Sequence, residues 1–359
     1  MGDVSRVKVK LVCGLDLGDK SSAVCLCDAQ GEVLDQRRIS TKEPALARYF
    51  QGKAPLRIAL EVGPHSPWVS RLLSRWGHEV LVANPRKVKL IGNTRRKSDR
   101  IDAQSLADLA GARPRLLHPI QHRTEKTQQD RVLLQTRDAL VRSRSRLISH
   151  VRGLVKSLGG RLPSCSAETF AKKAAAQLPA ELKSRLSGTL TAITELTVSI
   201  RDYHRQIQEL LKTDYPQGQK LLQIQGVGPI TALTFVLTLG EPGRFAKSRT
   251  VGAYLGLVPA QRSSGESHPQ LRISKEGDPY LRRLLVQCAH YILGPHGADC
   301  DLRRFGQRLS ASGGKSAKKR ATVAVARKLS VVLHRLLVTG QDYEALRSSE
   351  PEPILRTAA

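Results

Sequence analysis

Between residues 8 and 83 the apolar positions fall in short runs of strand length, separated by turn residues. VKLVCGLDL, SSAVCLCDA and EVLDQRRIS follow one another with GDK and DAQG at the joins. Such runs, bounded by Gly and Asp, predict a meander of three strands. The period then alternates. PALARYFQ has helical spacing, LRIALEVG reads as a strand, SPWVSRLLSRWG as a helix, HEVLVANP as a strand, and a helical pattern continues to Gly111. Three strands followed by alternating helix and strand predict a mixed α/β sheet with helices packed on it.

From about residue 127 the pattern becomes one of heptads. Leu133, Leu140, Leu147 and Leu154 recur every seventh residue, as do Leu134, Val141, Ile148 and Val155, until Gly159 and Gly160 end the run. This predicts one long helix. A second begins near Glu181 and carries Leu182, Leu186, Leu190, Ile193, Leu196, Ile200, Tyr203, Ile207 and Leu210, with Pro163 and Pro179 in the connection. The two are expected to pair as an antiparallel helical coiled coil. Beyond it, LLQIQGVGPITALTFVL places Gly226 and Gly228 between two helical stretches, resembling a helix-hairpin-helix turn whose glycines let backbone N–H groups approach a phosphate. A loop rich in Ser, Gly and charge then leads to a helix starting near Pro279. A last amphipathic helix follows GGKSAKKR. The expected domains are residues 1–118, a helical coiled-coil region 119–215, a mainly α domain 216–345 and a flexible tail 346–359.

Charge narrows the partner. The chain has 359 residues, with 59 Lys and Arg against 31 Asp and Glu, a formal net charge of +28 spread along its whole length. Such an excess predicts a large polyanion as partner. No apolar run approaches the roughly 18 residues of a spanning helix, so nucleic acid is favoured over a membrane. Aromatics are only 4 % of the chain, which favours phosphate contacts by Arg and Lys over base stacking. Candidates for such contacts are Arg137 and Arg144 on the first long helix, the glycines Gly226 and Gly228, and Arg262, Lys275 and Arg282 further on. A solvated helix face is the competing reading for the basic first arm. The six cysteines form no CxxC pair, so buried structural thiols in a reducing cytoplasm are expected.

Against this basic background, four acids stand where a strand ends or a helix begins: Asp16, Glu61, Asp99 and Asp102. Asp16 and Glu61 close the first and fourth predicted strands, neighbours in a ribonuclease H-like sheet. Asp99 and Asp102, three apart, share one helix face. Gathered carboxylates repel one another unless a proton or a hard cation such as Mg²⁺ or Mn²⁺ neutralises them. Two such ions can activate a nucleophile and stabilise the leaving oxygen of a phosphodiester. The competing reading makes Asp99 a helix cap and Asp102 a first-turn acid, worth about 0.5–2 and 0.3–1 kcal/mol.

GLDLGDKSS, ALEVGPHS, VANPRKVK and KSDRIDAQSLADLA, then IQGVGPITAL, RFAKSRTVGAYLGLVPAQRSSGES and ISKEGDPYLRRLL, resemble in order the RNA-guided DEDD transposases of bacterial insertion sequences. The resemblance covers nearly the whole chain. It implies a RuvC-like, ribonuclease H-like N-terminal domain, a coiled coil and a C-terminal transposase domain. It also implies a noncoding guide RNA that pairs with donor and target DNA. The metal acids of that family carry over onto Asp16, Glu61, Asp99 and Asp102, and its nucleophilic serine onto Ser264 before Gly265, with Ser263 and Ser267 close by. The implied reaction cleaves and rejoins DNA through a covalent phosphoserine link, assisted by divalent metal. Acids and serine fall in different predicted domains, so a homo-oligomer, dimer or tetramer, acting in trans is expected. Two other readings compete: a hydrolytic junction nuclease using the acids alone, and a noncatalytic nucleic-acid binder.

Overall fold

The computed structural model describes residues 11–84, 88, 98–262, 269, 271–311, 313–314 and 316–347. The chain divides into two compact units, Met1–Thr124 and Glu125–Ala359.

The first unit is built on five strands: β1 (Val12–Asp16), β2 (Ser21–Cys27), β3 (Val33–Ser40), β4 (Arg57–Glu61) and β5 (Glu79–Ala83). Their order is β3-β2-β1-β4-β5. β1 pairs antiparallel with β2 and parallel with β4, β2 pairs antiparallel with β3, and β4 pairs parallel with β5. This mixed sheet is consistent with the ribonuclease H-like topology that the strand pattern implies. Helices α1 (Glu43–Phe50) and α2 (Ser66–Arg75) cover one face, where Leu46, Phe50, Val69 and Leu73 pack with Cys13, Leu15, Val24, Ile58 and Leu60. Helix α3 (Asp99–Ala112) covers the other. There Ala23, Cys25 and Cys27 meet Ala103 and Ala107 near the start of the helix, and Val12 and Ala59 meet Leu106 and Ala110 further along it.

Gly14 sets how close α3 lies. A Cβ built on Gly14 would stand 1.8 Å from the Ala103 carbonyl oxygen and 2.7 Å from the Ala107 nitrogen, so only glycine admits the helix backbone at this depth.

The second unit is helical. Helices α4 (Glu125–Ser157) and α6 (Ala180–Thr213) run antiparallel, since Lys126 pairs with Asp214 at 2.7 Å and Arg144 donates to Thr197 Oγ1 at 3.2 Å. Of the two heptad rows, the one containing Leu134 and Val155 turns inward, whereas Leu154 is exposed. A short helix α5 (Phe170–Gln177), which the sequence pattern does not predict, inserts Phe170 and Ala174 among Val151, Val155, Leu186, Leu190 and Ile193. At the other end Leu134, Ile207 and Leu211 join the main core with Leu221, Leu233, Phe235, Leu281 and Leu329. The long helices and the following helices therefore share one core, and packing is continuous across residues 215 and 216. That core is completed by α7 (Pro229–Leu239), α8 (Thr250–Tyr254), α9 (Pro279–Leu293), α10 (Asp301–Ala311) and α11 (Ala317–Thr339). Of these, α8 and α10 are further elements that the sequence pattern does not predict. Among the described residues no helix is long and apolar enough to cross a membrane.

The six cysteines are free, four of them buried, as expected for structural thiols. Burial pushes the Cys27 thiol up to about 12.

Candidate active site

Strand register brings the first two acids together. Asp16 is opposite Ala23 on β2, and Ala23 is opposite Arg38 on β3. On the other side Leu15 pairs with Leu60, so the next register position sets Asp16 beside Glu61. Arg38, Ala23, Asp16 and Glu61 thus form one row across four strands, on the α3 face. Adjacent strands lie about 4.8 Å apart, which places Asp16 and Glu61 side by side and Arg38 on the order of 10 Å from Asp16.

Helix α3 brings the other two. Its N-cap is Ser98, whose side chain accepts from Ile101 N at 3.3 Å. Asp99 is therefore the first helical residue and not the cap, which removes the capping explanation for its presence. Because Gly14 seats α3 flush on the sheet, the first turn of the helix, with Asp99 and Asp102, meets the end of β1. Asp16 registers all of this. Its carboxyl is pushed up to about 6, first by burial and then by Asp99, Asp102 and Glu61, while Arg38 acts in the opposite direction.

Among the described residues no three Asp, Glu, His or Cys side chains are gathered tightly enough to ligate one ion. The Asp99 carboxylate takes the guanidinium of Arg38 in an ion pair. Beside that pair lies an open cavity of about 420 Å³ whose lining includes Ala23, Gln36, Arg37, Ser98 and Arg100.

The loops beyond β1 and β4 are tied to each other. His65 Nε2 lies 3.3 Å from Asp19 Oδ1, and Trp68 Nε1 donates to His65 Nδ1 at 3.1 Å. The Trp68 contact assigns Nδ1 as acceptor in the neutral ring, leaving Nε2–H to face Asp19. Ser66, fully buried, donates to Gly63 O at 2.8 Å and accepts from Gly63 N at 3.0 Å. Sequence reasoning missed Arg38, Asp19 and His65. Arg38 becomes visible only through two successive pairings of register.

The nucleic-acid candidates separate by environment. Arg144 is buried, its guanidinium donating to Thr197 within the helical hairpin, so it cannot serve as a surface phosphate contact in this fold. Arg137 is half-buried, with Nε lacking a partner. Arg282 donates to the carbonyls of Leu255 at 2.9 Å and Glu276 at 2.6 Å, a structural clamp. Arg262 and Lys275 are exposed, Lys275 with φ of 56°. Gly226 has φ of +94° and Gly228 is the N-cap of α7, following a 3-10 helix over Pro216–Gln223. The two glycines thus fall between a 3-10 helix and α7.

Ser264, with Ser263, Gly265 and Ser267, lies outside the described residues. Its flanks form a neck: Pro259 bridges Ile273 antiparallel, Ala260 N donates to Arg272 O at 2.9 Å and Ser274 N to Val258 O at 2.9 Å. Gly256 and Gly277 permit it. A Cβ on Gly256 would stand 2.3 Å from Glu276 N, and one on Gly277 2.1 Å from Tyr254 O.

A sheet that sets Asp16 beside Glu61, with a helix carrying Asp99 and Asp102 toward the same edge, defines an α/β domain with an acidic sheet edge. Residues 13–159 match the family model for IS110 DEDD transposases, described as transposase, and residues 218–299 match the transposase IS116/IS110/IS902 family. The chain is 32 % identical over 284 residues to the transposase for insertion sequence element IS1328 of Yersinia enterocolitica, covering 78 % of this chain and 83 % of that protein. It is 29 % identical to the transposase for IS1111A of Coxiella burnetii, over 92 % and 91 % of the two chains. A probable family 20 transposase of Pseudomonas aeruginosa is 31 % identical, over 78 % and 83 %. The chain belongs to the IS110/IS116 family of insertion-sequence transposases.

Proposed function

We propose that this transposase cuts and rejoins donor and target DNA through a serine–phosphodiester intermediate at an acid site of Asp16, Glu61, Asp99 and Asp102. The observation that carries the reading is Asp16 itself, half-buried beside Glu61 in one sheet row and pushed up to about 6 with Asp99, Asp102 and Glu61 among the causes. Carboxylates crowded in this way are hard oxygen donors that suit Mg²⁺ or Mn²⁺, and the four acids would hold the metal. A bound divalent ion supplies positive charge to a phosphodiester in its transition state.

The remaining chemistry belongs to the chain. Ser264 Oγ gives up its proton and attacks phosphorus; the Oγ–P bond forms as the bond to one deoxyribose oxygen breaks, and that oxygen takes up a proton and leaves as a hydroxyl. Attack by a deoxyribose hydroxyl on the phosphoserine reverses the exchange and rejoins DNA, so no external energy source is needed. Gly14 and α3 position Asp99 and Asp102, and the Asp19–His65–Trp68 chain fixes the loops beyond Asp16 and Glu61. A noncoding guide RNA reads sequence by pairing. The net charge of +28 and the scarcity of aromatics support a protein that grips backbone.

The test is to trap a suicide DNA substrate with the full chain, the element's RNA and Mg²⁺. A covalent protein–DNA adduct is expected, absent from Ser264→Ala. Cleavage that persists in Ser264→Ala points instead to a hydrolytic nuclease. No cleavage under any condition, with DNA binding unchanged in Asp16→Asn, points to a binding protein.

A further inference from the structure

The cavity beside Asp99 is basic although Asp99 itself lines it, with Arg37, Arg38 and Arg100 around it. Ala23 occupies the row position between Asp16 and Arg38, and its single methyl leaves an open trough. Across that trough stand the Arg38 guanidinium from β3 and Arg100 from the first turn of α3. Arg100 is held through a reciprocal pair with Gln36, whose side-chain nitrogen donates to Arg100 O at 3.1 Å and whose oxygen accepts from Arg100 Nε. Arg37 also lines the cavity, but Asp35 engages it at 2.9 Å. Arg38 is paired with Asp99, and both side chains are largely open to solvent, 63 % and 56 % exposed. Exposed pairs of this kind exchange readily, because water screens the charges and holding two long side chains in one geometry costs entropy.

We infer that this trough is a backbone-phosphate subsite of the reaction, and that Arg38 alternates between Asp99 and a phosphate of the bound strand. The inference rests on the acid-site reading above. While Arg38 neutralises Asp99, that carboxylate is withheld from a cation; when a phosphate takes Arg38, Asp99 is released to the acid cluster. Divalent cation and nucleic-acid strand thereby favour each other's binding, and thermodynamic linkage makes the effect reciprocal. The device keeps a site of four carboxylates partly neutralised until substrate arrives.

The experiment measures Mn²⁺ affinity of the full chain by calorimetry or electron paramagnetic resonance, with and without the oligonucleotide dT12, in wild type, Arg38→Gln, Arg38→Lys and Asp16→Asn. In wild type, dT12 is expected to tighten Mn²⁺ binding by about fivefold or more. Arg38→Gln alone should bind Mn²⁺ about two- to fivefold more tightly than wild type, because the competitor is gone, and dT12 should no longer change it. Arg38→Lys, which keeps the charge, should retain the competition. Arg38→Gln with wild-type or weaker Mn²⁺ affinity and intact coupling to dT12 overturns the inference while leaving the acid site standing. Mn²⁺ binding that is identical in Asp16→Asn overturns the acid-site reading itself. Tryptophan fluorescence verifies folding of each variant, since Trp68 and Trp76 both lie in the first unit.

Discussion

Replacing Asp16 with asparagine is expected to stabilise the first unit while abolishing activity. The Asp16 carboxyl is pushed from 3.8 up to about 6, so the folded state holds a proton that the unfolded chain has lost. Stability contributed by the protonated form is complete below about pH 4 and disappears as pH rises through about 6. At face value two pKa units correspond to about 3 kcal/mol. The side chain is half-exposed and its neighbours are screened by water, so about 1–2 kcal/mol is the realistic size. Asparagine carries no charge at any pH and removes the whole penalty. Urea unfolding followed by tryptophan fluorescence in EDTA isolates this unit, because Trp68 and Trp76 are the only tryptophans in the chain and both belong to it. Asp16→Asn should exceed wild type by about 1–2 kcal/mol at pH 7.5, and the gap should close near pH 4. Saturating Mn²⁺ should narrow the gap at pH 7.5 by stabilising wild type alone. A variant no more stable than wild type at pH 7.5, or a gap that ignores pH, would refute the crowding of Asp16 by its neighbours.

Gly14→Ala should destabilise the first unit by about 1–3 kcal/mol, since a Cβ 1.8 Å from the Ala103 carbonyl forces α3 off the sheet; at matched folded fraction, strand transfer should fall more than DNA binding. Arg144→Met should leave stability unchanged or raise it by up to about 2 kcal/mol, because a buried guanidinium with an unpartnered Nε is replaced by an apolar chain, and the salt dependence of DNA binding should not move. Exposed Arg146 supplies the contrast: if it contacts phosphate, Arg146→Gln lowers the salt slope by about 1. Asp16→Asn and Ser264→Ala, each inactive alone, should recover recombination when mixed if acids and serine act in trans, and a mixture as inactive as its parts would rule that arrangement out.

Strands in the first unit were legible because short apolar runs are bounded by turn residues: β1, β2 and β4 are buried at nearly every position, under helices on both sides, and the observed strands fall inside the predicted segments. Asp16 and Glu61 were legible as strand-end acids for the same reason. Arg38 was not, because its relation to Asp16 depends on two antiparallel registers, Asp16 with Ala23 and Ala23 with Arg38, and a shift of one residue would send it to the opposite face. The short helices Phe170–Gln177 and Thr250–Tyr254 escaped notice because each spans at most about two turns and takes its stability from packing. Heptads announced the long helices without saying which of two adjacent rows faces inward.

Net charge was the least reliable guide to individual residues, for a reason the second unit makes plain. Arg152 donates to the carbonyls of Leu162 at 3.4 Å and Pro163 at 3.0 Å, Arg282 to Leu255 and Glu276, and Arg303 to Ile292 at 2.7 Å and Gly294 at 2.6 Å. Arg131 pairs with Asp278, the N-cap of α9, at 2.5 Å. A guanidinium offers five donors in a planar fork, so it can close a loop or helix end on carbonyl oxygens without an acidic partner. In a chain with 59 bases and 31 acids, carbonyls take a share of the pairing that carboxylates provide elsewhere. The excess of positive charge therefore overstates the number of residues free to meet phosphate. The salt slope of DNA binding should be correspondingly shallower than a count of exposed-looking bases along the sequence implies, because every arginine committed to a carbonyl releases no counterion.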